Sequence, residues 1–451
     1  MTEGKISVDV GETELVEQVQ ALDVGKKDGD GEKDKIVDIN ENEKDGTEGF
    51  QRLDTVPVEM FLHICSFLES GFVLQNLSLV CKQFYMVLVN QKTWKIRQEK
   101  RWGRNGQYPP VPVDNDCFPW SRACWKREEQ IKLWGNNGAN LRNVELRSHI
   151  ACVDAVHLFD CGKYLATGSR DRSIIIWDVE KAFSNCRLMD DTKTSVALPS
   201  AKAHENSAAH KGWIWAFTSN ESHLLSASWD NTVRIWDKRS NFQLVTEFPT
   251  LKVACLCLAM TDNLVACGTY HKQVLLFDPR EDSYKPLTSY TVHKKCVLAL
   301  GMDDTRIISC SEDGRTILYD IRAQKAVKTI TLSNGAYPTC LSFRREAPAP
   351  LFYIGDRSGQ IHLVNSDLFE IAQTYDIGHK QIVQGVFHSL GSVMTCSKDG
   401  HMKVMEPSLG LQELASLKID AELPGVHSFN NTVALAGGDS VVRLWAPIED
   451  F

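Results

Sequence analysis

Apolar residues near the start of the chain recur at helical spacing. Val58, Phe61, Leu62, Cys65 and Leu68 fall at i, i+3, i+4, i+7 and i+10, so they share one face of a helix. Pro57 suits its first turn, and Glu59 lies near the positive end of the helix dipole. Ser70-Gly71 is predicted to stop this helix, with Gly71 as the residue just past its end. A second helical face runs from Leu74 and Leu77 through Cys81, Phe84, Tyr85 and Leu88. Two helices of this length bury too little core to stand alone, so part of their apolar surface should face a partner or a neighbouring domain. The competing reading is a small cap that only buttresses the next domain.

Downstream the chain repeats itself. GSRDRSIIIWD ends at Asp178, SASWDNTVRIWD at Asp237, GTYHKQVLLFD at Asp278 and SCSEDGRTILYD at Asp320. Weaker copies end at Asn365, Glu406 and Ala446, and successive endpoints lie 59, 41, 42, 45, 41 and 40 residues apart. Six of the seven copies carry an Asp in a predicted strand-to-strand turn (Asp171, Asp230, Asp313, Asp356, Asp399 and Asp439), where a short acceptor side chain satisfies backbone N–H groups. His149, His210, His293 and His379 precede the first strand of four copies. The long first interval leaves a polar, aperiodic stretch, DDTKTSVALPSAKAHENSA, predicted to be an exposed loop.

Two family resemblances follow. LDTVPVEMFLHICSFLESGFVLQNLSLVCKQFYMVLVNQKTWK resembles an F-box, through Leu53, Pro57-Val58-Glu59, residues 64–68, Leu79-Val80-Cys81-Lys82, Phe84 and Trp94. The period near 40 resembles the WD repeat, one four-stranded propeller blade per copy. Together they imply a small all-α F-box at residues 50–97 and an all-β, seven-bladed WD-repeat propeller at 141–451, with residues 141–146 closing the ring as the outer strand of the last blade. In WD repeats the His, the turn Asp, a strand Ser or Thr and the strand Trp form one buried hydrogen-bonded set. Thr167 and Trp177 complete it in blade 1, and Ser226 and Trp236 in blade 2. Blade 3 departs, with His271 for the Asp and Phe277 for the Trp; blade 4 has Tyr319, and blades 5 to 7 are incomplete.

F-boxes dock on the Skp-type adaptor of cullin-RING ubiquitin ligases. The resemblance therefore implies adaptor contacts by Leu53, Pro57, Val58, Leu68, Leu79 and Val80, and a propeller face that reads a protein substrate. The implied function is the substrate-recognition subunit of a Skp–cullin–F-box (SCF-type) E3 ligase; the alternative is a non-catalytic WD-repeat scaffold. Family positions on the reading face correspond here to Asp154, Arg170, Trp213, Trp215, Trp229, Lys252, Tyr270, Glu312, Tyr337 and Lys398. Phosphopeptide readers need several convergent arginines, and only Arg170 occupies such a place. The expected ligand is thus a short segment held by Trp213, Trp215, Trp229 and Tyr270, with Arg170 or Lys398 contacting an acidic group. The competing reading buries one or two of these rings between blades, Trp213 first.

Composition narrows the remaining choices. The 451-residue chain is 43% hydrophobic and carries a net charge of −8. Residues 1–50 hold fifteen acids against six lysines, so the rest of the chain is close to neutral. That acidic stretch, residues 1–49 as a unit, has no aromatic residue and is expected to be disordered. Residues 98–140 form a Trp-rich segment, with Trp102, Trp120, Trp125 and Trp134, predicted to be a packed connector; its interleaved acids argue against a nucleic-acid surface. Fourteen cysteines include no Cys-x-x-Cys pair, so free core thiols in a reducing compartment are expected. No catalytic residue, metal or cofactor is predicted, because the repeat assigns each Asp and His to a different blade. No apolar run approaches membrane-spanning length, and a soluble protein of cytoplasm and/or nucleus is expected.

Overall fold

The structure, a computed structural model, describes residues 56–103, 107–113, 118–188, 195–249, 252–280, 285–345 and 347–448. The acidic N-terminal stretch and Leu53 lie outside them.

The chain enters a helical module: α1 (Val58–Ser66), α2 (Ser70–Gln75), a 3-10 turn (Leu77–Leu79), α3 (Lys82–Val89) and α4 (Gln91–Trp102). Apolar spacing decides what faces inward. Phe61 and Cys65 of α1, Val73 of α2 and Phe84 and Leu88 of α3 are buried, and the Phe61 and Phe84 rings stack at 4.0 Å. Trp94 of α4 closes this core, its indole N–H donating to the Leu88 carbonyl at 2.6 Å. Side chains start the later helices: Asn90 Oδ1 accepts from the Lys92 N–H at 3.0 Å, and Cys81 Sγ from the Phe84 N–H at 3.5 Å.

Two sequence expectations are corrected here. Ser70-Gly71 begins α2 rather than ending α1, because the Ser70 N–H and hydroxyl both donate to the Glu128 carboxylate, at 2.6 and 2.7 Å. Gly71 supplies space instead of a left-handed turn: a Cβ there would sit 2.9 Å from the Trp125 indole nitrogen. The second apolar face is likewise not one helix but α2, the 3-10 turn and α3 in succession.

Both of those contacts lead to α5 (Trp120–Gly138), regular until residues 135–137 turn out of helical geometry. Its two faces serve two cores. Trp120, Cys124 and Glu128 turn toward the helical module, where Glu128 pairs with Arg97 at 3.3 Å and Arg101 at 3.0 Å. Ala123, Arg127, Gln130 and Trp134 turn toward the propeller. Arg127 is fully buried and pairs with Glu406 at 2.7 Å, and a Cβ on Gly391 would run into the Lys126 carbonyl. The helix is mortar between two bodies.

Seven sheets follow, one per repeat, six of them four-stranded and antiparallel and the seventh extended to six strands, numbered here by the inner strand: Val153–Phe159, Ile214–Ser219, Cys255–Met260, Val297–Met302, Pro338–Ser342, Val383–His388 and Val426–Phe429. The second strands are buried almost end to end, as Val265–Thr269 and Val393–Ser397 illustrate, because both of their faces meet a neighbouring blade. The ring closes by pairing Leu141–Arg147 with Val441–Pro447, in register from Leu141↔Pro447 to Arg147↔Val441. First and last parts of the propeller are thereby tied, and a sheet edge is removed.

The polar insert is more ordered than its composition suggests, which corrects the predicted loop. Lys202–Asn206 is the outer strand of blade 1, pairing with Ile174–Asp178. Ser195–Ala197 pairs in parallel with the ring-closing strand (Val144↔Ser195, Glu145↔Val196) and with Cys186–Leu188 beyond it. A free edge on the closing strand supplies backbone partners that a hydropathy pattern does not register. The thiol expectation also needs one correction. Cys255 and Cys267 form a disulfide between adjacent strands, at a Cα separation of 6.2 Å that a bulge between Cys255 and Cys257 permits. The other described cysteines are free, and burial pushes Cys310 and Cys340 up to about 12.

Three inner strands carry histidines near their ends, His388 buried and His157 and His427 half-buried. His157 meets Ser219 Oγ at 2.9 Å, His388 Nδ1 meets Ser342 Oγ at 2.8 Å, and His427 Nδ1 accepts from the Leu158 N–H at 3.3 Å. Burial holds His388 down to about 3 and His427 to about 4, and pushes His157 well below its usual value. All three are neutral in the fold, whereas the unfolded chain takes up protons as pH falls through about 6.5. Their contribution to stability is therefore complete above that pH and is lost on acidification toward the folded values. Each costs about 1.4 kcal/mol per pH unit below 6.5. Urea melts should show stability falling between pH 6.5 and 5; a flat profile there would refute this account.

Candidate protein-recognition face

The repeat chemistry is built as a set of struts. In blade 1 His149 bridges Asp171 Oδ2 at 3.0 Å and Thr167 Oγ1 at 2.9 Å, and Trp177 Nε1 donates to the same Thr167 oxygen at 3.2 Å. Blade 2 repeats this with His210, Asp230 at 2.9 Å, Ser226 at 2.7 Å and Trp236 at 2.9 Å. Blades 4 and 6 keep the His contacts, through His293 to Asp313 and Ser309 and through His379 to Asp399 and Thr395. Blade 5 reaches the same end by another route: Asp356 accepts from Asn334 at 2.6 Å and meets His362 Nε2 at 3.1 Å. His362 sits on a strand, so a search for a His ahead of the blade passes over it. Burial alone would raise the Asp171 and Asp230 carboxyls, but the His and hydroxyl hydrogen bonds more than offset it and hold both below the usual range. The sets stay on separate blades, and no cluster of three or more His, Cys, Asp or Glu placed to hold a metal occurs among the described residues.

One backbone hydrogen bond organises the face above these struts. In five blades the residue just before the turn position donates its N–H to the carbonyl just before the inner strand; in blade 5, where Asp356 ends the second strand (Leu351–Asp356) and is not the turn residue the sequence suggests, Arg357 just after it does so. The pairs are Arg170 to Cys152, Trp229 to Trp213, Tyr270 to Ala254, Glu312 to Cys296, Arg357 to Tyr337 and Lys398 to Ile382, at 2.8 to 3.1 Å. These positions form a rim around one face, and the side chains on it differ sharply by sector.

The charged sectors are internally paired. Arg170 binds Asp154 through Nε at 2.8 Å and Nη2 at 3.0 Å, a bidentate grip, and Asp154 is buried rather than presented. That hydrogen bonding raises the Arg170 guanidinium above its ordinary value. Lys398 pairs with Glu422 at 3.1 Å on blade 6, away from the aromatic sector, and Lys295 pairs with Glu312 at 3.2 Å. The expectation that Arg170 or Lys398 reaches out to an acidic group is thus corrected: each already has a carboxylate. Arg357, which sequence reasoning passed over, lies 5.3 Å from the Tyr337 ring.

Blades 2 and 3 present a different sector. Trp213, Trp229 and Tyr270 are 43%, 41% and 49% exposed. The ring of Trp229 lies 6.3 Å from Trp213, 6.2 Å from Trp215 and 5.4 Å from Tyr270. The Arg170 guanidinium stands 5.0 Å over Trp213 and 5.8 Å over Trp215. Trp213, the ring that the competing reading buries first, is therefore open. Trp215 is the more covered one, and its indole N–H is buried without a hydrogen-bond partner.

The helical module holds a second exposed surface. Ten large apolar side chains between residues 58 and 96 are exposed, against twelve over the rest of the described chain. Phe67 is 76% and Val80 62% exposed; Val58, Leu79 and Pro57 also face outward. Leu68 is half-buried against the module core instead, with its carbonyl accepting from Arg97.

An apolar helical module fixed to a seven-bladed propeller with His–Asp struts defines a WD-repeat protein carrying a small helical domain. Comparisons with known proteins agree. The family described as WD domain, G-beta repeat matches residues 141–178, 204–237 and 284–320. F-box/WD repeat-containing protein 9 of Bos taurus is 30% identical over 394 residues, covering 87% of this chain and 82% of that one. F-box/WD repeat-containing protein mec-15 of Caenorhabditis elegans is 25% identical, covering 88% and 96%. The WD40 beta propeller domain of Doa1 has a similar fold, with a TM-score of 0.55 at 16% identity, over 69% of this chain and 98% of that one. The chain belongs to the F-box/WD repeat-containing protein family.

Proposed function

We propose that this protein is the substrate-recognition subunit of an SCF-type ubiquitin ligase. Its exposed helical surface docks a Skp-type adaptor, and its propeller holds a protein substrate through the aromatic sector of blades 2 and 3. The observation that carries the reading is the run of three exposed rings, Trp213, Trp229 and Tyr270, beside an Arg170 already paired with Asp154. A contiguous apolar patch of this kind marks an interaction site, and Trp and Tyr are favoured interface anchors. The protein's contribution is recruitment: a bound substrate lysine gains effective concentration near a ubiquitin-loaded enzyme supplied by the complex.

Trp229 and Tyr270 lie on the surface, so replacing both by Ala tests recognition without hollowing a core. Loss of one interface Trp alone costs about 2 kcal/mol, or roughly 30-fold in affinity. Proximity labelling in cells should show substrates captured by the wild type and lost from the double variant, at an unchanged melting temperature. Undiminished capture by that variant would sink the reading.

A further inference from the structure

The chemistry of the aromatic sector narrows what it can take, granting that it is the recognition face proposed above. A cationic ligand gains little there. The Arg170 guanidinium already stands over Trp213 and Trp215, so two of the four ring faces have spent their quadrupole on a resident cation. An anionic ligand gains little either, because Asp154 holds two edges of that guanidinium in a bidentate pair. What remains is a neutral surface whose polar atoms are mainly donors. The indoles of Trp213, Trp215 and Trp229 can only donate, and Tyr270 adds one hydroxyl.

A donor surface is complementary to a peptide rich in acceptors and poor in N–H groups. An ordinary extended strand carries one N–H per residue, and these rings cannot accept it. Proline carries none. A polyproline II segment has no internal hydrogen bonds, so its carbonyls arrive needing donors, and it is ordered before it binds. It has three residues per turn at a rise of about 3.1 Å, so residues on one side of it recur about every 9 Å. The rings of Trp213, Trp215 and Tyr270 each lie 5.4 to 6.3 Å from Trp229 and form one continuous aromatic surface for those residues to pack on.

We propose that blades 2 and 3 bind a proline-containing segment in the polyproline II conformation, its rings packed on Trp213, Trp229 and Tyr270 and one carbonyl taken by the Trp215 N–H. That N–H is buried and without a partner, a condition that costs free energy until an acceptor reaches it. The indole is only half-buried, so a small tilt brings the donor to a carbonyl laid across the rings.

Fluorescence anisotropy of the full-length protein with a capped, fluorescein-labelled decamer of proline tests this. Three probes of equal length serve as comparison: a Gly-Ser repeat, one carrying trimethyl-lysine and one carrying phosphoserine. The proline decamer should bind, the other three bind at least tenfold more weakly, and Trp229→Ala abolish the signal. Trp215→Phe keeps a ring and removes the donor, so it should weaken binding about tenfold. Equal or tighter binding of any comparison probe, no proline binding at millimolar protein, or a Trp215→Phe variant that binds like wild type each overturns the inference. The recognition reading fails separately, by substrate capture that survives removal of Trp229 and Tyr270.

Discussion

Replacing Glu406 by Ala is expected to destabilise the protein by about 3–5 kcal/mol, more than most single substitutions do. Arg127 on α5 is fully buried and its guanidinium lies 2.7 Å from the Glu406 carboxylate of blade 6. An arginine does not shed its proton when its partner leaves, so the variant loses the carboxylate that Glu406 sets at 2.7 Å against a charge held out of water. The Trp102 ring, 4.3 Å from the guanidinium carbon, contributes a cation–π contact that falls well short of a carboxylate. The double change Arg127→Met with Glu406→Met should recover most of the loss, since an apolar pair of similar volume removes both desolvation costs. Chemical denaturation of the three variants measures this. A loss below about 1 kcal/mol for Glu406→Ala would mean that the pair is solvated and contributes little. Function is at stake as well as stability, because α5 is packed into both bodies and holds the module proposed to dock the adaptor on the propeller.

The second large effect concerns that docking surface. Changing Phe67 and Val80 together to Glu should lower adaptor association by at least about 100-fold while leaving the fold intact. Burying a Phe or Val side chain contributes about 1.5–3 kcal/mol each, and a carboxylate in the same apolar contact adds a desolvation cost. Neither residue supports the core, being 76% and 62% exposed. Phe61→Ala makes the contrast: at 3% exposure and stacked on Phe84, it should unfold the module. Quantitative co-purification of the Skp-type adaptor and cullin with the Glu pair decides the matter. Retention of both partners would mean that docking does not use this surface.

How far the chain could be read in advance differs between its parts, for a physical reason in each. The blades were legible because every copy restates the same local problem, a tight turn needing an Asp and a strand needing a buried partner for it. Seven restatements outweigh the gaps in any one, so ring closure by residues 141–146 followed from counting. Blade 5 shows the limit: His362 does the work of an absent upstream His, from a position no repeat pattern marks. The helical module was legible as amphipathic but not in its breaks. Helix α2 starts where Glu128, 58 residues away, accepts from Ser70, and Gly71 is small because Trp125 lies against it.

The recognition face divides in the same way. Periodicity places Arg170, Trp213, Trp229, Tyr270 and Lys398 at equivalent rim positions, and a shared backbone hydrogen bond puts them there. Equivalence of position says nothing about what each side chain meets. Trp213 is open and Trp215 the more covered, whereas the competing reading buried Trp213 first, and Arg170 and Lys398 are held by Asp154 and Glu422. Repeat period, turn chemistry and helical spacing were enough for the architecture, since each rests on interactions within about one blade of chain. Exposure and charge pairing rest on contacts between segments remote in sequence, as Arg127 and Glu406 do at a separation of 279 residues, and those arise only once the ring has closed around them.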